Sequence, residues 1–139
     1  MRTLYIMHAR PSFIVIGAQK AGTTALFQNL SRHPRIAPPI EKEIDFFSCG
    51  GRFRRGIDFY HSHFPTREAL GAEGVTYDVS PDYMVSPEAA RRIFEYDPKM
   101  KLIAVLRDPV SRAYLSSPTE RNPVQSHRSG PTWFERFVV

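Results

Sequence analysis

FIVIGAQKAGTTALFQNL, residues 13–30, joins an apolar run to a helix-like segment through a turn that contains two glycines. Residues 13–16 are apolar and mostly β-branched, which is typical of a strand buried on both faces of a sheet. A helix is expected next, because Thr23 or Thr24 can cap its first turn and Pro34 limits its length. The stretch therefore predicts a strand, a glycine turn and a helix in succession.

Two further apolar runs, at residues 75–79 and 102–106, resemble the first and are predicted to be buried strands. Between them, Pro87 opens a predicted helix that ends at Asp97, and Pro109 opens another. Because parallel strands need crossover connections, strands that alternate with helices indicate a parallel sheet covered on both faces. The predicted fold class is α/β, with a P-loop-like parallel sheet flanked by helices.

The composition fits one domain that recognises an anion. With 139 residues, of which 42% are hydrophobic, the chain is expected to form a single domain over residues 1–139. Its formal net charge of +5 favours a nucleotide, a nucleic acid or an acidic polysaccharide as ligand without choosing among them. The single cysteine, Cys49, excludes an internal disulfide and the usual multi-cysteine zinc site.

The two ends of the chain contain no candidate site residues. The apolar run near the N-terminus is too short for a signal-peptide core or a bilayer span, so we expect no membrane segment and a cytoplasmic location. Residues 117–131 are polar, contain three prolines and show no sustained period, and are predicted to form an exposed loop.

The turn has the composition of an anion site. Backbone N–H groups at the head of a helix carry partial positive charge, and Gly17 and Gly22 allow the tight backbone that such a site needs. Lys20 adds a full charge, while Thr23 and Thr24 add hydroxyl donors. A phosphate or a sulfate is the expected ligand.

The turn departs from the ordinary phosphate-binding loop, which reads G-x-x-x-x-G-K-[ST]. Gly17 and Gly22 have the required spacing, but Thr23 occupies the lysine position and Lys20 lies inside the loop. This difference disfavours a kinase or NTPase. The remaining alternative is a strand-to-helix turn that carries a surface lysine.

Three segments, which follow one another along the chain in the family's order, resemble the sulfotransferases that use 3′-phosphoadenosine 5′-phosphosulfate (PAPS). GAQKAGTTAL, residues 17–26, resembles their 5′-phosphosulfate-binding loop, and VLRDPVSRAY, residues 105–114, is similar to their 3′-phosphate-binding strand and helix. KEIDFF at 42–47 and GIDFYHSHFP at 56–65 resemble the heparan sulfate N- and O-sulfotransferase branch in particular. Because the family domain is longer, the resemblance implies a fold that is incomplete at the C-terminus.

The resemblance implies a role for each residue of the turn. Lys20 would stabilise the departing phosphate without a metal. Ala21 and Gly22 through their backbone N–H groups, and Thr23 and Thr24 through their hydroxyls, would hold the 5′-phosphate. PAPS is therefore the expected co-substrate.

Two more site residues follow from the resemblance. Arg107 would bind the 3′-phosphate, for which its planar guanidinium is suited; the alternative is an ion pair with Asp108 at a helix start. Glu43 would be the general base that removes the acceptor proton. Its alternative role is membership of a solvated charge cluster with Glu41 and Lys42.

Two positions differ from the family pattern. Leu115 stands where family members usually carry a serine for the 3′-phosphate, and whether Ser116 replaces that serine is left open. Val79 stands where the heparan sulfate branch commonly carries a lysine that assists at the reacting centre.

Other candidate residues are assigned to structure. Arg52, Arg54 and Arg55 are predicted to be solvated, with contact to an acidic polysaccharide as the alternative. A metal shared by His61 and His63 is not expected, because a spacing of two on a helix separates their faces, and both are predicted to be surface residues. The aromatic residues of this region are predicted to form core rather than a sugar cleft. They are Phe46, Phe47, Phe59, Tyr60 and Phe64.

The sequence thus predicts an enzyme that moves a sulfuryl group from PAPS to a hydroxyl or amine of a carbohydrate-type acceptor. The alternative is a truncated, non-catalytic remnant that binds a nucleotide or a partner only. Self-association is allowed by the missing helices, which would leave apolar surface exposed. Nucleic acid is not an expected partner, because no recognised binding module is present.

Overall fold

Strand β1 (Phe13–Gly17) pairs in parallel with β3 (Val75–Val79) on one side and with β4 (Lys101–Ala104) on the other. A short strand, β2 (Ile36–Ala37), pairs in parallel with β3, so the order in the sheet is β2-β3-β1-β4. The predicted α/β fold with a parallel sheet and flanking helices is confirmed.

The computed structural model describes residues 7–111. The predicted loop at 117–131 and the open question about Ser116 lie outside this range. No helix within it is both long enough and apolar enough to span a bilayer. The helices are α1 (Thr23–Leu30), α2 (Gly50–Phe53), α3 (Ile57–His61), α4 (Arg67–Leu70), a 3₁₀ helix (Pro81–Val85) and α5 (Pro87–Tyr96), and residues 109–111 are also helical.

Helix α1 begins as predicted after the glycine turn, but neither threonine caps it. The N-cap residue is Gly22, with φ of 110°, and Thr23 is already the first helical residue. Glycine has no side chain to accept a hydrogen bond from the first turn. The predicted threonine cap is therefore wrong, and the N–H groups of that turn are left to face a ligand or water.

Helix α5 follows its sequence signals closely. Ser86 is its N-cap and accepts a hydrogen bond from the backbone N–H of Ala89 at 3.2 Å, and Pro87 occupies the first helical position. The helix ends at Tyr96 with Asp97 as C-cap, as predicted.

The sheet has a core on each face, because successive residues of a buried strand point in opposite directions. Ile14 packs into a large aromatic cluster, whereas Val15 packs on the other face against residues of β3 and α1. The predicted aromatic core is confirmed for its five members, of which Phe59 is partly buried. The side chains of the aromatic cluster that are less than 2% exposed are Ile14, Ile44, Phe46, Phe47, Tyr60, Phe64 and Ala89.

Strand β4 differs from its prediction. It spans Lys101–Ala104 rather than 102–106, and it is exposed along most of its length. Leu102 is 51% exposed and Leu106 is 70% exposed. Within residues 7–111 only β1 pairs with β4, so this strand lies at the edge of the described sheet, and its apolar sequence does not by itself produce burial.

Candidate active site

The glycine turn lies at the carboxyl edge of the sheet, where parallel α/β sheets place their ligands. Both polar groups of its first peptide, the Gly17 carbonyl and the Ala18 N–H, bond to the residue that follows β4. Val105 donates its backbone N–H to the Gly17 carbonyl at 2.7 Å, and Ala18 donates to the Val105 carbonyl at 2.8 Å. The turn therefore starts from a fixed point next to the segment that leads to Arg107.

The two glycines are required for different reasons. A Cβ atom on Gly17 would lie 2.8 Å from the Met84 Cβ and 3.1 Å from the Pro81 carbonyl oxygen, so close packing against the 3₁₀ helix requires glycine. A Cβ on Gly22 would meet nothing within 4 Å. There the backbone itself, with φ of 110°, favours glycine.

Lys20 lies at the top of this turn with a left-handed backbone, φ 59°. Its side chain is exposed, and the neighbouring Gln19 donates a hydrogen bond to the Asp82 carboxylate. Ala21 donates its backbone N–H to the Ala18 carbonyl at 3.2 Å, which closes the turn. The turn thus projects a cation in front of the helix α1 N-terminus.

A cavity of about 280 Å³ opens between this turn and two other segments. The turn and the start of α1 line it together with Glu43 and the start of the 3₁₀ helix. Its lining residues are Gln19, Lys20, Gly22, Thr23, Thr24, Glu43, Pro81 and Asp82.

Most of the predicted site residues meet in this cavity. Lys20, Glu43, Gly22, Thr23 and Thr24 all line it, with Thr23 buried and Thr24 exposed. Two predicted residues do not line it in the described part of the chain. They are Ala21, which lies within the turn, and Arg107, which is half-buried after β4.

Glu43 is held by its backbone. Its N–H donates to the Val79 carbonyl at the end of β3 at 2.9 Å, and its φ is 62°. The carboxylate forms an ion pair with Lys42, whose side chain is only 19% exposed. Residues 41–45 are not helical, so the charges of this segment do not lie at a helix start. The general-base role of Glu43 stays a prediction.

The basic run at 52–55 contacts the segment that contains Glu43. The Arg52 guanidinium donates to the Glu41 carboxylate at 2.8 Å and to the Ile44 carbonyl. The Arg55 guanidinium lies 3.6 Å from the centre of the Phe59 ring. Arg52 and Arg55, two of the three arginines in this run, therefore make contacts within the fold.

Asp45 is a site neighbour that the sequence analysis did not single out. Burial raises its pKa from 3.8 to about 6, and the negative charges of Asp82 and Glu43 act in the same direction. Its Oδ1 is buried and has no hydrogen-bond partner within residues 7–111. Asp82 was also missed, although its position just beyond the predicted strand at 75–79 is where open α/β sheets place ligands.

Asp108, which follows Arg107, makes hydrogen bonds at the start of the next helical turn. The Asp108 carboxylate accepts from the Ser111 backbone N–H at 3.0 Å and from the Ser111 hydroxyl at 3.2 Å, as a helix N-cap does. These bonds lower the pKa of Asp108. The 3′-phosphate role of Arg107 stays a prediction.

His61 and His63 were predicted to be surface residues, and this prediction is wrong. His63 is 6% exposed, and its Nδ1 lies 2.8 Å from the Phe59 carbonyl oxygen. His61 is half-buried, with its Nε2 2.9 Å from the Tyr96 hydroxyl. Helix α3 ends at His61, so His63 does not follow the helical spacing on which the prediction depended. Residues 7–111 contain no group of three or more His, Cys, Asp or Glu arranged to hold a metal ion.

Comparison with known proteins identifies sulfotransferases that are similar to this chain. The chain is 39% identical over 109 residues to the mouse (Mus musculus) bifunctional heparan sulfate N-deacetylase/N-sulfotransferase 4. It is 40% identical over 103 residues to the membrane-associated sulfotransferase kil1 of Dictyostelium discoideum. These alignments cover 75% and 74% of this chain, but only 12% and 21% of the relatives.

A solved sulfotransferase structure is similar to this chain in fold. The crystal structure of a sulfotransferase from Alicyclobacillus acidocaldarius superposes with a TM-score of 0.64 at 34% sequence identity. The match covers 76% of this chain and 48% of that one, so the chain spans about half the length of the solved relative. Residues 10–138 also match the family described as "Sulfotransferase domain". The chain belongs to the sulfotransferase domain family.

Proposed function

We propose that this protein transfers a sulfuryl group from PAPS to a hydroxyl or amine of a carbohydrate-type acceptor. The observation that carries the proposal is the single cavity lined by Lys20, Glu43 and the start of α1. It places a cation, a carboxylate and helix N–H donors around one space. Membership of the sulfotransferase family supports the choice of donor.

The α1 wall of the cavity fits the phosphosulfate end of PAPS. Residues 23–26 form the first turn of α1 and include no acidic side chain, so the partial positive charge of the helix start is not neutralised locally. Gly22 leaves open space above that turn, and Thr23 and Thr24 add hydroxyls to the same wall. An anion is the ligand that such a wall favours.

Lys20 and Glu43 have different roles in the reaction. Lys20 neutralises negative charge that develops on the bridging oxygen as the bond between sulfur and the phosphate oxygen breaks. Glu43 accepts the proton of the acceptor as the acceptor oxygen or nitrogen bonds to sulfur. The electron pair of the broken bond leaves with the phosphate. No step requires a metal, because Lys20 supplies the positive charge.

The carbohydrate acceptor is supported by the names of relatives that act on heparan sulfate. Lys42 forms an ion pair with the Glu43 carboxylate, and the chain carries a formal net charge of +5. An acidic glycan fits that charge better than a neutral one. Arg107 would add the 3′-phosphate contact, from the end of β4.

The second candidate is a protein that binds the nucleotide without transferring the sulfuryl group. Two observations favour it: Arg107 does not line the cavity among the described residues, and Val79 stands where a lysine commonly assists. Both candidates predict nucleotide binding. They differ only in turnover.

Calorimetry and a transfer assay separate the candidates. Adenosine 3′,5′-bisphosphate is expected to bind, and ATP with Mg²⁺ is expected to bind less tightly; the reverse order contradicts the PAPS assignment. Labelled PAPS with a panel of acidic glycans then tests transfer by the wild type and by Glu43→Gln. Glu88→Gln, an exposed glutamate on α5, is the matched control. Binding without transfer by the wild type would favour the second candidate.

A further inference from the structure

A fully buried carboxylate lies behind the segment that carries Glu43. We propose that Asp78 is a positioning residue, which fixes the backbone of residues 43–47 through the hydroxyls of Ser80 and Tyr83. Its effect on catalysis rests on the proposed function of Glu43. Its effect on the segment does not.

Asp78, near the end of β3, has no exposed surface and is surrounded by hydroxyl donors. Its Oδ2 accepts from the Tyr60 hydroxyl at 2.9 Å and from the Tyr83 hydroxyl at 3.0 Å. Its Oδ1 accepts from the Ser80 hydroxyl at 2.9 Å. The donors come from α3, from the 3₁₀ helix and from the end of the strand, so one carboxylate joins three parts of the fold.

Two of these hydroxyls make a second bond that reaches the Glu43 segment. The Ser80 Oγ accepts from the Asp45 backbone N–H at 3.1 Å. The Tyr83 hydroxyl accepts from the Phe47 backbone N–H at 3.4 Å. Because a hydroxyl has one hydrogen, donating it to Asp78 leaves the lone pairs of Ser80 and Tyr83 free to accept. The carboxylate thus sets the direction of both bonds.

The bonds act on a segment with an unusual backbone. Glu43 has φ of 62° and Asp45 has φ of 50°, both in the left-handed region that residues other than glycine rarely adopt. Such conformations persist where surrounding contacts determine them. Every second amide of the segment is held: Glu43 by the Val79 carbonyl, then Asp45 and Phe47 by the two hydroxyls.

Holding the segment places the Glu43 carboxylate at the cavity. A general base acts only within hydrogen-bond reach of the proton that it removes, and small displacements are costly. Asp78 does not line the cavity. It acts through Ser80 and Tyr83.

Tyr60 provides a control that separates positioning from stability. Like Ser80 and Tyr83 it donates one hydrogen bond to Asp78, but the contacts of its hydroxyl do not extend to the 43–47 backbone. A purely structural role for Asp78 predicts similar effects of Tyr60→Phe, Tyr83→Phe and Ser80→Ala. A positioning role predicts that only the latter two disturb the segment.

The kinetic test uses the full protein with labelled PAPS and an acidic glycan. Ser80→Ala and Tyr83→Phe are expected to lower kcat by between about tenfold and about a hundredfold, as misplacement of a catalytic group does. The Kd for adenosine 3′,5′-bisphosphate, which depends on the turn and the start of α1, is expected to stay within about twofold, as is kcat of Tyr60→Phe. Equal loss of kcat in Tyr60→Phe and Ser80→Ala overturns the proposal.

Amide hydrogen exchange tests the same inference without any turnover. Ser80→Ala is expected to speed exchange at the Asp45 amide, and Tyr83→Phe at the Phe47 amide, whereas Tyr60→Phe leaves both protected. Unchanged protection in Ser80→Ala and Tyr83→Phe overturns the proposal. If the wild type binds nucleotide but transfers nothing, the proposed function of Glu43 fails. Exchange at the Asp45 and Phe47 amides in Asp78→Asn, which keeps Ser80 and Tyr83, still decides whether Asp78 fixes the segment: faster exchange supports the proposal and unchanged exchange overturns it.

Discussion

Lys20 and Glu43 line the same cavity, although they belong to separate segments of the chain. Lys20 is carried there by the turn after β1, and Glu43 by a backbone hydrogen bond to Val79 at the end of β3. Because β1 and β3 are parallel neighbours, their carboxyl ends share one edge of the sheet. The pairing of these strands therefore brings the proposed acid–base and charge-stabilising groups together.

Replacing Lys20 tests its role at the departing phosphate. Lys20→Met is expected to reduce the transfer rate by about 10²- to 10³-fold, the loss typical of removing one group that stabilises developing negative charge. Transfer from labelled PAPS measures it. Lys101→Met is the matched control, because Lys101 is also exposed and lies at the amino end of β4. Equal activity of Lys20→Met and Lys101→Met would remove Lys20 from the proposed mechanism.

The two glycines of the turn are expected to respond differently to alanine. Gly22→Ala costs about 1–2 kcal/mol of unfolding free energy, because only the positive φ is strained. Gly17→Ala costs more, because its Cβ also meets Met84 and Pro81. Urea unfolding measures both. Gly51→Ala, in α2, where a Cβ meets only the Cys49 Sγ at 3.8 Å, is the control; a smaller cost at Gly17 than at Gly22 would contradict the packing argument.

Asp45 is expected to make stability depend on pH. Its pKa in the folded protein is raised from 3.8 to about 6, so the folded state holds this proton more tightly than the unfolded state. The resulting stabilisation is present at low pH and is lost as pH rises from about 4 to about 6. Asp45→Asn, which has no charge to bury, is expected to gain stability relative to the wild type across that window. The gain is at most about 1 kcal/mol, since the carboxyl is partly exposed and screened.

Unfolding curves at several pH values measure this difference. Repeating them at high salt screens the charges of Asp82 and Glu43 but leaves burial in place. Most of the difference is expected to survive, because burial is the larger cause of the raised pKa. A difference between Asp45→Asn and wild type that is the same at low and at neutral pH would refute the prediction.

The N-cap of α5 offers a prediction about stability alone. Ser86→Ala removes the side chain that accepts from the Ala89 N–H, and such changes cost about 1 kcal/mol. Thermal unfolding measures the loss. Ser86→Asp restores the cap and is expected to recover the stability. Binding of adenosine 3′,5′-bisphosphate should not change, because Ser86 does not line the cavity; weaker binding would show that α5 supports the site.

Local signals were sufficient where the chain carries strong boundaries. Strand β3 occupies residues 75–79 as predicted, between Gly74 and Pro81. Helix α5 runs from Pro87 to Tyr96 between its serine cap and Asp97. In each case the residues that start and stop the element act on their own backbone, so their effect can be read without the rest of the fold.

Predictions that needed neighbours were less successful. The apolar run in β4 indicates a buried strand, but its exposure depends on whether another element covers it. His63 was assigned to the surface from helical spacing, yet α3 ends before it and the ring packs against Phe59. Asp45 and Asp82 gave no local signal of their shared electrostatic field, because that field arises only when their segments meet.

The sequence alone determined the chemistry of the turn: glycines at 17 and 22, a lysine between them and two threonines after them, arranged for an anion at a helix start. It also determined the parallel α/β fold, through apolar strands that alternate with helices. Two relationships appear only in the folded protein: Glu43 lines the same cavity as this turn while Arg107 does not, and the hydroxyls bonded to Asp78 accept from the backbone of the Glu43 segment. The physical reason is that these relationships depend on hydrogen bonds between residues distant in the chain, which form only when the strands pair.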